Sequence, residues 1–197
     1  RNAYINGLSK RLNSGGEINS IASVASFFIS RVDSKVDPLI ESNSDLSKIQ
    51  KEKLLGSIAI SNAILAYKDF KADFSSEKFK KLQDNGAMVQ RLLWASTSTK
   101  NPNYNTTHYV ENLPMKNTIN TMPEATFYSV EKGLSINQST SVNDATDNIQ
   151  LLQKFNIDLE AITQDLLNEG IQLFSDSYDE LQENLSRKIK KLNKEIE

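Results

Sequence analysis

Ile21-Ala-Ser-Val-Ala-Ser-Phe-Phe-Ile-Ser-Arg-Val32 decides the fold. The stretch is small, β-branched and aromatic on both parities. A strand that is apolar on both faces belongs to a buried parallel sheet. Met88-Val-Gln-Arg-Leu-Leu-Trp-Ala95 reads as a second such strand, and Asn117-Thr-Ile-Asn-Thr-Met122 as a short third. Outward from these, the periodicity predicts helices. Tyr4, Ile5, Leu8 and Leu12 recur at helical spacing before Gly15-Gly16. Residues 33–44 are polar and contain Pro38, which predicts a loop with a short helix. Residues 45–70 predict one long helix, capped by Ser44 or Asp45, with Leu46, Ile49, Leu54, Ile58 and Leu65 on its apolar stripe. Residues 76–82 predict a further helical piece, stopped at Asn85-Gly86. Pro123 opens a helix through Lys132. Residues 143–154, 158–168 and 170–196 predict three closing helices, separated at Asn156 and Gly170. Strands alternating with helices imply right-handed βαβ units. Three strands complete neither a doubly wound sheet nor a barrel. The fold class is α/β, incomplete and helix-capped.

The chain has 197 residues, 38% hydrophobic and 24% charged, with a net charge of −2. That composition is globular. It carries no basic stripe for nucleic acid. With no cysteine, disulfides, thiolate catalysis and cysteine zinc sites are excluded. The single histidine, His108, forms no histidine metal cluster alone, and its polar surroundings predict a surface residue. The apolar runs are too short to span a bilayer, and no signal-peptide pattern opens the chain. The expected location is the cytoplasm, with no membrane partner. Arg1 stands in place of an initiator methionine, so the chain reads as a piece of something longer.

Ligands of parallel α/β folds bind at the C-terminal ends of the strands. At the first end, Arg31 stands near Ser26, Ser30 and Asp33. Its planar fork suits a phosphate, or it pairs with Asp33 or Asp37 and fastens a loop. At the second end, Ala95-Ser-Thr-Ser-Thr-Lys-Asn101 crowds hydroxyls and an ammonium into one loop. Three uses fit: an anion cradle, a solvated loop, or Lys100 as a Schiff-base nucleophile. At the third end, Asn120 and Thr121 line a sugar pocket or cap the helix after Pro123. Trp94 is expected to pack under the end of the sheet. No Gly-rich phosphate loop is present. The last helix, with Arg187, Lys188, Lys190, Lys191 and Lys194 among acids, reads as a solvated or partner-facing surface.

Four stretches together resemble the bacterial-type transaldolases. Residues 22–33 (Ala-Ser-Val-Ala-Ser-Phe-Phe-Ile-Ser-Arg-Val-Asp) resemble the family's sixth strand. Residues 58–67 resemble the following helix. Gln90-Arg-Leu-Leu-Trp-Ala-Ser-Thr-Ser-Thr-Lys-Asn-Pro-Asn-Tyr104 resembles the seventh strand and its loop, and Thr118-Ile-Asn-Thr-Met-Pro-Glu-Ala-Thr126 the eighth. The resemblance implies a (β/α)₈ TIM barrel, of which residues 1–197 are the C-terminal portion: three parallel strands with their helices, plus C-terminal helices. It implies a transferase of the pentose phosphate pathway. A lysine Schiff base moves a dihydroxyacetone unit from sedoheptulose 7-phosphate to glyceraldehyde 3-phosphate. No metal or organic cofactor is implied.

Carried over residue by residue, Ser26 and Arg31 match the family's phosphate-binding Ser and Arg. Lys100 stands where a second basic phosphate ligand is presented, across a short insertion, with Ser96 beside it. Nothing here matches the family's Lys-Ile-Pro-Ala-Thr strand, so the Schiff-base lysine is expected upstream and no catalytic residue is assigned to this chain. The segment alone is expected to be inactive, and to associate with the missing N-terminal half or with a copy of itself. The alternative is a catalytically inactive half-barrel that serves as a self-associating or complementing structural module.

Overall fold

A computed structural model describes residues 1–137 and 140–196. They form two compact units, Arg1–Ile157 and Asp158–Glu197. In chain order the first unit contains α1 (Asn2–Asn13), β1 (Val24–Phe28), α2 (Ser30–Ser42), α3 (Lys48–Leu54), α4 (Ile58–Phe74), α5 (Glu77–Gln83), β2 (Arg91–Ala95), α6 (His108–Asn112), β3 (Thr118–Asn120), α7 (Glu124–Glu131) and α8 (Val142–Lys154). The second unit is one helix, α9 (Leu159–Ile196).

The sheet is parallel, with strand order β1-β2-β3. The register places Phe27 beside Trp94 and Trp94 beside Asn120, while Ser26, Leu93 and Ile119 share the opposite face. On the Trp94 face Leu92 and Trp94 are buried, Trp94 wholly so, while Phe27 and Asn120 are half-buried, and Phe27 meets the Trp94 ring edge-on at 5.8 Å. The expectation that β1 is buried on both faces fails. Val24 and Phe28 are 43% and 39% exposed and Ser26 is exposed. On that face Leu93 and Ile119 are half-buried, and Phe28 carries the Arg31 guanidinium over its ring.

Other boundaries differ for local reasons. β1 ends at Phe28, so Arg31 and Val32 belong to α2, and where a loop with a short helix was expected over 33–44 a 13-residue helix runs through to Ser42. Pro38 lies inside it. Proline removes one amide donor, but Val32, Val36 and Ile40 are buried at helical spacing, and that burial outweighs the missing bond. The expected helix over 45–70 is two helices. Neither Ser44 nor Asp45 caps the first; Ser47 does, through a capping box with Gln50. Gly170 does not interrupt α9: exposed glycine costs only about 1 kcal/mol within a helix. Asn156, with φ of 58°, does mark the break that was expected there.

The corner between α3 and α4 is Gly56, with φ of +67°. A Cβ there would lie 2.8 Å from Tyr104 Cζ. The corner is held by α2. Asp37 accepts a hydrogen bond from Gly56 N at 3.1 Å and one from Tyr104 Oη at 2.6 Å. One turn earlier, Asp33 accepts from Ala59 N at 2.7 Å and from Tyr109 Oη at 2.9 Å. Ser57, the residue before α4, makes no side-chain cap. Asp33 therefore caps α4 from a different helix. Alongside, α4 packs on α8, where Asn148 Nδ2 donates to Ser61 Oγ at 3.1 Å within a buried contact.

Burial pushes the Asp33 carboxyl up to about 7, with the nearby Asp37 charge adding to it; the bonds from Ala59 N, Tyr109 and Ile58 N act the other way. Burial also raises Asp37, against the bonds from Tyr104 and Gly56. Both tyrosine hydroxyls are held well above their usual range, by burial first and by the carboxylates next.

Two outcomes follow. Gly56→Ala must strain the corner and push on the Tyr104 ring, so we expect a loss on the order of 1–3 kcal/mol in a urea titration. For Asp33 the unfolded carboxyl titrates near 4 and the folded one near 7. Between those values the folded protein holds a proton that the unfolded chain has lost. Its contribution to stability is therefore full at the acid end and is lost as pH rises toward 7. Asp33→Asn, with no such titration, should flatten the pH dependence of the unfolding midpoint between pH 4 and 7. An unchanged slope would refute that assignment.

Candidate functional site at the C-terminal edge of the sheet

Beyond the last ladder pairs, the three strands remain joined. Ile29 N donates to the Ala95 carbonyl at 2.9 Å, and Ser30 N to the Ser96 carbonyl at 3.0 Å. Thr121 N donates to the Trp94 carbonyl at 3.0 Å. The fully buried Thr97 hydroxyl lies 2.9 Å from Asn120 Oδ1 and 3.2 Å from the Thr121 carbonyl. Asn120 thus braces two loops and does not cap α7, whose start at Pro123 has no side-chain cap.

Ser96 is where the chain leaves β2. Its φ is 56°, a left-handed conformation that is costly for a residue with a side chain and common at ligand-binding turns. Its hydroxyl lies 3.0 Å from that of Ser30, the first residue of α2. Arg31 follows at the second position of α2. Its guanidinium carbon sits 4.8 Å from the centroid of the Phe28 ring. Neither Asp33 nor Asp37 pairs with it. Their oxygens serve α4, Gly56 and the two tyrosines, and Arg31 has no ion pair among the described residues. A cation in the first turn of a helix opposes the macrodipole, which there favours an anion. Arg31 therefore stands in an unfavourable field without a protein anion to offset it.

Lys100 is placed differently. It is exposed, its Nζ 3.5 Å from Ser98 Oγ. It lines a cleft of about 230 Å³ with Asp33, Asp37, Glu41, Tyr104 and Tyr109. Ser26, Arg31 and Ser96 do not line that cleft. Ser26 points along the open sheet face with Leu93 and Ile119 as strand neighbours. The structure thus brings Ser96 to the head of α2, where Arg31 lies, and turns Lys100 toward the carboxylate side of that helix. A Schiff-base lysine needs a desolvated amine, and Lys100 lies in the open.

Sequence reading missed the acidic cleft. Asp33, Asp37 and Glu41 at spacing of four would have signalled one helical face had residues 33–44 been read as a helix. It also misplaced His108, which is half-buried. His108 stacks on Tyr104 at 5.2 Å, and its Nε2 lies 2.7 Å from the Gly56 carbonyl.

With the Ser30 and Ser96 hydroxyls beside the α2 terminus, the Arg31 end of this edge has the donor chemistry that suits a sulfate- or phosphate-sized anion. Residues 9–185 match the model of the transaldolase/fructose-6-phosphate aldolase family. The chain is 43% identical to transaldolase 2 of Nostoc punctiforme over 201 residues, covering 97% of this chain and 53% of that protein. It is 39% identical to a transaldolase of Trichodesmium erythraeum, covering 96% and 52%. It is 40% identical to one of Mycolicibacterium smegmatis, covering 91% and 48%. The chain spans about half the length of the curated relatives that it matches. Its parallel strands and helices agree with an arc of a TIM barrel. No helix of the described residues is long and apolar enough to cross a membrane. The chain belongs to the transaldolase/fructose-6-phosphate aldolase family.

Proposed function

We propose that this chain is the C-terminal, phosphate-holding portion of a single transaldolase barrel. The reaction is the cytoplasmic transfer, within the pentose phosphate pathway, of a dihydroxyacetone unit from sedoheptulose 7-phosphate to glyceraldehyde 3-phosphate. Its covalent step runs through a lysine Schiff base. In this reading the lysine comes from a segment outside these 197 residues; among the described residues no buried lysine stands at the strand ends. Arg31 grips the phosphate, Ser26 and Ser96 supply hydroxyls, and Lys100 adds positive charge from the neighbouring loop.

The observation that carries the reading is Arg31, set at the head of α2 beside Ser30 and Ser96 without an ion pair among the described residues. A bound dianion would satisfy both the guanidinium and the helix terminus. The bidentate fork matters, so lysine should not replace it.

The second reading, an inactive half-barrel that complements another chain, is favoured by the open sheet face with Val24 and Phe28 exposed. Such an arc gains from strands that cover it. The two readings agree on the face and differ on chemistry.

Borohydride trapping with fructose 6-phosphate separates them. In a protein that includes the preceding barrel strands, we expect a reduced adduct whose modified peptide lies outside residues 1–197. An adduct on Lys100 of the chain alone would overturn the assignment of the nucleophile. In the complete protein, Arg31→Ala should raise the KM for sugar phosphates on the order of 10- to 100-fold, the loss of a charged hydrogen-bond pair. Lys100→Ala should cost less, because its position is exposed and shared with carboxylates. An Arg31→Ala enzyme with unaltered KM would remove the phosphate role.

A further inference from the structure

The loop after β2 carries a hydroxyl at each of residues 96–99, and burial divides them. Ser96, Ser98 and Thr99 are half-buried, whereas Thr97 is 0% exposed. Thr97 therefore meets no ligand, and its hydroxyl is free to act within the protein.

What it acts on is the backbone of its neighbour. Ser96 has a left-handed φ of 56°. A residue with a side chain keeps such a conformation only where its surroundings over-determine it. Here the chain is held from both sides. Toward α2, the Ala95 carbonyl accepts from Ile29 N at 2.9 Å and the Ser96 carbonyl from Ser30 N at 3.0 Å. Toward β3, the Trp94 carbonyl accepts from Thr121 N at 3.0 Å. The remaining hold on that side is a side chain: Thr97 Oγ1 lies 2.9 Å from Asn120 Oδ1 and 3.2 Å from the Thr121 carbonyl. Thr121 is thus gripped at its amide and at its carbonyl by residues that stand before and after Ser96. With Thr97 tied to β3 and the Ser96 carbonyl tied to α2, the chain must turn at Ser96. The turn delivers the Ser96 hydroxyl 3.0 Å from that of Ser30, at the head of α2. A valine at 97 would fill nearly the same volume but would leave the Asn120 and Thr121 oxygens without their donor. A serine would keep the donor.

We propose that Thr97 is a positioning residue for the phosphate end of the substrate: its hydroxyl locks Ser96 in the left-handed conformation and so aims the Ser96 hydroxyl at the anion that Arg31 grips. The proposal rests on the phosphate-holding reading of Arg31 and Ser96. Thr97 acts on the phosphate and not on the reacting carbon.

Kinetics of the complete protein, with its preceding barrel strands, test it. Thr97→Val should raise the KM for fructose 6-phosphate about tenfold and the inhibition constant of inorganic phosphate by the same factor, with kcat within about twofold. Borohydride trapping with dihydroxyacetone, which carries no phosphate, should proceed at the parental rate. Thr97→Ser should restore both constants. Ser96→Ala should raise them as well, and Thr97→Val added to Ser96→Ala should raise them no further, because the effect of Thr97 runs through Ser96. A lower kcat and slower dihydroxyacetone trapping, with phosphate inhibition unaltered, would make Thr97 a part of the general scaffold and overturn the proposal. So would additive losses in the double variant, or parental constants in Thr97→Val. Arg31→Ala separates this failure from that of the phosphate reading. If it raises KM and Thr97→Val does not, the role of Thr97 alone is lost; if neither raises KM, the phosphate reading falls and takes Thr97 with it. Circular dichroism checks that the variants fold. Where Thr97→Val does not, Asn120→Ala removes one acceptor of the same hydroxyl and should show the same rise in KM at constant kcat; an unaltered KM there overturns the proposal.

Discussion

The Asp33 carboxyl is the constraint on which the functional edge depends. It is 1% exposed, and burying a carboxyl is costly unless its oxygens are satisfied. One oxygen takes the Ala59 amide at the start of α4 and the other takes the Tyr109 hydroxyl. Helices α2, α4 and α6 are thereby tied to a single side chain. Asp37 repeats the arrangement one turn along, with Gly56 and Tyr104. The same two carboxylates decide the state of Arg31. A carboxyl engaged by amides and phenols is not available to the guanidinium two residues away in sequence, so Arg31 is left without an ion pair among the described residues.

The order of strands and helices was legible because it rests on periodicity, and periodicity is local. The three strands in their order, the turn at Gly86 and the break at Asn156 were all read correctly for that reason. What was misread depended on distant partners. Pro38 argued against a helix over 33–44, and only the burial of Val36 and Ile40 by other elements outweighs it. The break at Gly56 is invisible in an apolar stripe that continues through Leu54 and Ile58. It exists because the Tyr104 ring, far along the chain, occupies the space of a side chain.

The candidate site divides in the same way. Arg31 and Ser96 were legible, since strand ends and residue chemistry suffice to nominate them. That Lys100 would lie at a cleft with Asp37 and Glu41 was not, because the loop after β2 is tied to α2 by the Tyr104–Asp37 hydrogen bond between residues distant in sequence. Two cations nominated for one phosphate thus serve neighbouring but different surroundings. Guanidinium and ammonium differ in what they recognise; the first lies at the head of α2 and the second at the rim of the acidic cleft.

The Val24, Ser26 and Phe28 face is the exposed side of the sheet among the described residues, a strand surface with a hydroxyl at its centre. Three strands in the order β1-β2-β3 leave β1 and β3 at the edges, and unpaired edges are completed by further strands. The exposure of this face and the two open edges therefore have one physical cause: a parallel sheet of three strands is an arc, and an arc buries one side only.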